Sequence, residues 1–204
     1  MNAHYLKLVY ALTLVFSTGA GLRAQDYRVL GSRDAPVELT IYSDFECPYC
    51  RNFALAAVPA LVAEFVHPGK LRLRYVYFPL AANHANAVGA AKAAHCAGLA
   101  GRFWGFHDYL YVRQPEWAGE AVADSVWLAY AGNLGLDRAA FAGCLKAAET
   151  NTAIESDLRA SLGLGATGTP TIVVNGRSIS GFSSYEELRR EIISAIDAAE
   201  NPGN

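Results

Sequence analysis

VELTIYSDFECPYC, residues 37–50, decides how the rest of this chain is read. Its first six residues, 37–42, alternate in character and are rich in β-branched side chains, the pattern of a buried strand. Ser43, Asp44, Phe45 and Glu46 form a loop, and Cys47, Pro48, Tyr49 and Cys50 stand where a helix should open. From 51 to 65 apolar side chains return every fourth position, at Phe53, Ala57, Leu61 and Phe65, which predicts a helix. Pro59 falls inside it and is expected to kink it. Pro68 and Gly69 end it.

The position of the two cysteines carries the chemistry. Free backbone N–H groups and the positive end of the helix dipole favour an anion at a helix start. A thiolate is such an anion, so the Cys47 pKa should fall below that of a free thiol. Pro48 suits the first helical turn, where its missing N–H costs nothing. Cys50, three residues on, lies on the same face within bridging reach. Cys47 is therefore the candidate attacking thiolate and Cys50 the resolving thiol of a dithiol–disulfide couple. A purely structural bridge here would close too short a loop to stabilise much. Half of a zinc site would need two further ligands at similar spacing.

Outward from this stretch, 27–30 is a short strand candidate, and 71–78 (LRLRYVYF) alternates as a second full strand. An alanine- and aromatic-rich helical stretch follows from about 85 to 162. Residues 171–174 (TIVV) are a third strand, Asn175-Gly176 is a strong hairpin signal, and 177–180 return. Ser183 or Ser184, with Glu186 or Glu187, caps a last helix reaching about 199. The order predicts an α/β fold: a four-stranded mixed sheet flanked by helices, interrupted by a helical block. Thr169-Pro170 immediately precedes the third strand. The proline is either an ordinary strand start or a cis peptide beside Cys47, offering the Thr169 backbone to an extended substrate.

The chain has 204 residues, 52% hydrophobic and 18% charged, with a formal charge of −2, which excludes a disordered or collagen-like chain. Without a long basic run, no nucleic-acid surface is expected. Residues 1–24 read as a signal peptide: Lys7, an apolar run at 8–16, then small residues before Gln25. A retained anchor is the alternative, although the run is shorter than the ~20 residues needed to span. Export implies an oxidising compartment, so Cys96 and Cys144 are candidates for a structural disulfide, with two buried free thiols as the alternative.

Taken with residues 31–37 (GSRDAPV), Phe78-Pro79-Leu80, Phe103-Trp104, His107-Asp108, Gly168-Thr169-Pro170-Thr171 and Val174-Asn175-Gly176, residues 43–50 resemble the DsbA family of exported thiol:disulfide oxidoreductases, within the thioredoxin-fold superfamily. The likeness spans about 27–199. It implies a thioredoxin-like domain over 25–204 with a helical insertion at about 83–163, and a cis Pro170. It implies Cys47 and Cys50 as the catalytic pair, with Pro48, Tyr49, Thr169 and Pro170 contacting substrate. The implied partners are cysteine-containing exported proteins and a membrane redox partner that restores the disulfide. No cofactor or metal is required, a monomer is expected, and the location is periplasmic or secreted. Within the same reading, a disulfide donor is favoured over a reductase or isomerase, or a peptide-binding chaperone that does not use the thiols.

Tyr49 stands where the strongest oxidants of that family carry His, so the Cys47 pKa is expected to be less extreme than theirs. Asp44 and Glu46 should push the same way if they lie close. The aromatics at 103–111 are expected in the core, His107 as a packed histidine with a local hydrogen bond in preference to a catalytic His107-Asp108 pair, and His84 in a capping or surface role. Arg72 and Arg74 are expected on one solvated face. Phe45 and Tyr49 are either a docking surface or buried loop residues.

Overall fold

The computed structural model describes residues 26–180, 182 and 184–201, so the expected signal peptide at 1–24 lies outside the described residues. Among the described residues a five-stranded mixed sheet runs in the order β1-β3-β2-β4-β5. β2 (Val37–Ser43) lies at its centre, parallel to β3 (Leu71–Tyr77) and antiparallel to β4 (Thr171–Val174). β5 (Arg177–Ser180) returns on β4 through Asn175 and Gly176, whose φ of 45° and 84° suit residues that tolerate the left-handed region.

The fifth strand corrects the four-stranded expectation. β1 (Val29–Leu30) pairs antiparallel with β3 at the sheet edge. Two residues carry little strand signal of their own. They are held from outside, by Tyr75 N–H donating to Arg28 O (3.0 Å) and by the Arg28 guanidinium pairing with Asp26 and Asp157.

β2 and β3 are connected by one helical rod, Pro48–Val66. Its α-helical pieces are α1 (Pro48–Asn52) and α2 (Val58–Leu61), with π-helical turns at Phe53–Ala57 and Val62–Val66. The expected kink at Pro59 is thus a widened turn. Val58 N–H bonds Phe53 O, and the extra residue brings Pro59 into the first turn of α2, where a missing N–H is tolerated. Phe53, Ala57, Leu61 and Phe65 pack with Leu39, Ile41, Ile172 and the last helix, α9 (Tyr185–Glu200), in an aliphatic core. Ser184 Oγ accepts from Glu187 N–H and caps α9.

Between β3 and β4 lie α3 (Ala87–Leu99), α4 (Phe103–Val112), α5 (Gln114–Trp117), α6 (Asp124–Asn133), α7 (Arg138–Lys146) and α8 (Ala148–Gly163). Their core is of a different kind, built from alanines of α3 and the rings of Phe103, Phe106, Tyr111, Trp117 and Trp127, and it includes Tyr75, Tyr77 and Phe45. Small alanines let α3 come close, and the large rings fill the remaining space in edge-on and tilted contacts. Arg72 and Arg74 are not a freely solvated face. They are half-buried: β2 and β3 place Glu38 in register with Arg72, with Arg74 also near Glu38, and Asp26, before β1, pairs with Arg74.

Candidate active site

Cys47 is the N-cap of α1, with φ −71° and ψ 125°, and Pro48 follows at the first helical position. Its sulfur faces the backbone N–H groups of Tyr49 and Cys50, the arrangement that favours an anion. Across from it, the Thr169–Pro170 peptide is cis, and Cys47 Sγ donates to Thr169 O at 3.4 Å. The buried Thr169 hydroxyl makes no formed hydrogen bond while the sulfur is a thiol, but it stands close enough to donate to the thiolate.

Both thiols are free and buried. The Cys50 thiol, donating to Cys47, is the largest influence on it; burial opposes, while Thr169 and the two N–H groups assist. The result is a Cys47 pKa lowered to about 5, above the ~3.5 of the most acidic thiols of this kind. Cys50 moves the other way. Burial first, and then the need to keep its proton toward Cys47, raise it well above an ordinary thiol, although the Ser43 hydroxyl and Asp44 N–H resist.

The carboxylates expected to oppose the thiolate are occupied elsewhere. Asp44, fully buried, accepts from Glu46 N–H, Leu80 N–H and His84 Nδ1–H, each at 2.8 Å. Glu46 accepts from Asn86 N–H (2.6 Å), Asn86 Nδ2 (3.3 Å) and Gly119 N–H (2.7 Å). Asn86 Nδ2 also donates to Trp117 O and Glu120 O, and its Oδ1 accepts from Val122 N–H. Gln114 Nε2 reaches both Phe45 O (2.7 Å) and Cys47 O (3.1 Å). The reactive turn is therefore tied to the helical block by side chains that sequence spacing does not associate with it.

Phe45 is not a docking residue. It is 1% exposed and stacks on Tyr75 at 5.1 Å, whereas Tyr49 is 73% exposed beside the reactive sulfur. His107 is buried, with its Nδ1 2.8 Å from Asp108 Oδ1, and burial lowers its pKa despite that partner. His84 has no mere surface role, given its bond to Asp44. Cys96 and Cys144 are joined by a disulfide, with Cα atoms 5.8 Å apart.

A family model described as thioredoxin matches residues 23–194. The chain belongs to the thioredoxin family. It is 27% identical over 183 residues to disulfide bond formation protein D of Bacillus subtilis, covering 80% of this chain and 74% of that protein. It superposes on the oxidised crystal structure of BdbD from Bacillus subtilis with a TM-score of 0.76 at 25% identity, over 83% of this chain and 92% of that one. It is also 37% identical over 170 residues to Na(+)/H(+) antiporter NhaA 1 of Salinispora arenicola, over 82% of this chain. The chain spans about a quarter of the length of that antiporter (24%). The mixed sheet and helices described above are those of the thioredoxin fold, as in that BdbD structure.

Among the residues that sequence reasoning missed, Gln114 and Asn86 carry no local signal. Each reaches the reactive turn across 40 to 69 residues of chain. For His84, the one available hint was a histidine soon after Phe78-Pro79-Leu80, on a loop that leaves the end of β3.

Proposed function

We propose that this chain is a thiol:disulfide oxidoreductase of the DsbA type that acts outside the cytoplasm as a disulfide donor to other proteins. The carrying observation is the opposed ionisation of its two thiols, Cys47 lowered to about 5 and Cys50 raised. Whatever stabilises the Cys47 thiolate stabilises the reduced form, and a couple with a stabilised reduced form oxidises its partners. A client thiolate attacks Cys47 Sγ of the Cys47–Cys50 disulfide, and Cys50 leaves and takes a proton. A second client thiolate then attacks the client sulfur of the mixed disulfide. Cys47 departs as a thiolate, leaving the client oxidised and the pair reduced by two electrons. Reoxidation requires an external electron acceptor, here a membrane redox partner.

Pro48, Tyr49, Thr169 and Pro170 surround the sulfur and form the client-contacting rim, with the helical block at about 83–163 as an inserted domain on a thioredoxin-like core. The Cys96–Cys144 disulfide supports an oxidising location, in keeping with the signal-like residues 1–24. Equilibrating the protein with a glutathione series tests the reading. A reduction potential of about −120 mV marks a donor, and one of about −270 mV marks a reductant and ends the donor assignment.

A further inference from the structure

Asp44 should be a liability to a thiolate enzyme. It is a fully buried carboxyl, and its backbone carbonyl accepts from Cys47 N–H at 3.2 Å, so the residue shares a turn of chain with the reactive cysteine. A carboxylate near a thiolate disfavours it. Oδ1 is taken by Glu46 N–H, and Oδ2 by Leu80 N–H together with the ring of His84. An ionised carboxylate can only accept, so His84 must hold a proton on Nδ1. A second proton, on Nε2, makes the ring a cation. The side chain is one-fifth exposed (20%), which leaves it in exchange with solvent.

We propose that His84 is a positioning residue for disulfide exchange: held on Asp44, its imidazolium cancels the buried carboxylate and supplies, from the loop after β3, the positive charge beside Cys47 that Tyr49 cannot provide. This rests on the reading of Cys47 and Cys50 as an exchanging pair. The charged and titratable groups facing the ring are Asp44, Glu46 and Cys47, all on the reactive loop, and residues 79–83 and 85–86 of its own loop add none. Burial works against the imidazolium. The hydrogen bond and charge of Asp44, then the charges of Cys47 and Glu46, outweigh it and raise the His84 pKa above that of a free histidine.

The attraction is mutual. A thiolate that favours the imidazolium is itself favoured by it, and becomes a better leaving group when the mixed disulfide resolves. The bond broken in that step is Cys47 Sγ–client Sγ. The electron pair stays on Cys47, and His84 keeps its proton throughout.

Two measurements test this. In the wild type, the His84 pKa read by NMR should be higher in the reduced protein, where Cys47 is a thiolate, than in the oxidised protein. Equal values in the two redox forms overturn the proposal without any substitution. In His84→Gln, which keeps a donor for Asp44 but never carries charge, the equilibrium with glutathione should shift on the order of tenfold toward the oxidised protein, the equivalent of one unit in the Cys47 pKa. His84→Lys should restore most of the shift. A Gln variant within twofold of wild type at pH 6, with an unchanged pH profile, overturns the proposal. A wild-type protein that never equilibrates with glutathione overturns the exchange reading itself, a distinct failure.

Discussion

Cys47 and Cys50 stand three residues apart at the opening of α1, whereas Cys96 and Cys144 lie 48 residues apart on α3 and α7. The first pair meets backbone N–H groups, a threonine hydroxyl and a carbonyl at the sulfur. The second is set among alanines and aromatic rings, with Thr150 Oγ1 donating to Cys144 O at 2.8 Å. Three of the four cysteines are buried, and Cys144 is partly so. What differs is whether anything nearby stabilises a thiolate. Where donors converge, the disulfide is easy to reduce. Around Cys96 and Cys144, where alanines and rings predominate and Thr150 Oγ1 at 3.5 Å from Cys144 Sγ is the polar contact, a thiolate would be costly and the bond serves as a staple.

Substitution at the reactive pair should have the largest effect. Cys47→Ser should drop exchange with a dithiol peptide to the uncatalysed rate, while in Cys50→Ser the Cys47 thiolate should still attack a disulfide-bonded peptide, displace one of its sulfurs as a thiolate and hold the other as a stable mixed disulfide, visible by mass spectrometry. The same chemistry at the staple should do the opposite. Replacing Cys96 and Cys144 together with Ala should leave exchange in place but lower stability by roughly 4 kcal/mol, the value for a loop of this length. A melting temperature lower by on the order of 10 °C would register it.

Acidity separates the pairs next. Alkylation of Cys47 should be nearly flat with pH above about 6 and fall tenfold per unit below its pKa of about 5. The sign for stability follows from a folded pKa below the unfolded one. The reduced protein gains stability over its unfolded chain as pH rises from about 5 toward the free-thiol value of 9.0, and loses it as pH falls back through about 5. The oxidised protein should lack this slope in urea titrations. Thr169→Val removes the hydroxyl that waits for the thiolate and should raise the Cys47 pKa by about one unit, followed by thiolate absorbance. The smallest effect belongs to Tyr49→Ala. It should leave that pKa unmoved, since the ring is mostly exposed, and slow only exchange with folded clients.

The parts of this site that are local in sequence were legible there. A strand, a proline-started helix and two cysteines at i and i+3 define the reactive sulfur within 14 residues, because helix-end electrostatics is a short-range property. The alternation of β2 and β3 and the Asn175-Gly176 turn likewise fixed most of the sheet. β1 was missed as a sheet member because two residues cannot show alternation, and its hold comes from Arg28 reaching Asp157 far along the chain. Phe45 was ambiguous because a loop ring beside an active cysteine looks the same whether it faces solvent or Tyr75. Asp44 and Glu46 were read as bare charges. The donors that engage them come from loops about 36 to 73 residues away, and no spacing rule connects those segments.

The single amide of Gln114, shared between Phe45 O and Cys47 O, joins two parts that could otherwise fail separately. It sets an order of damage. Any stress that lets α5 drift withdraws the clasp while β2, β3 and β4 remain zipped. Titrated with urea, the protein should surrender the sharpness of its sulfur chemistry before its strands part, so that loss of catalytic edge is the early warning of unfolding.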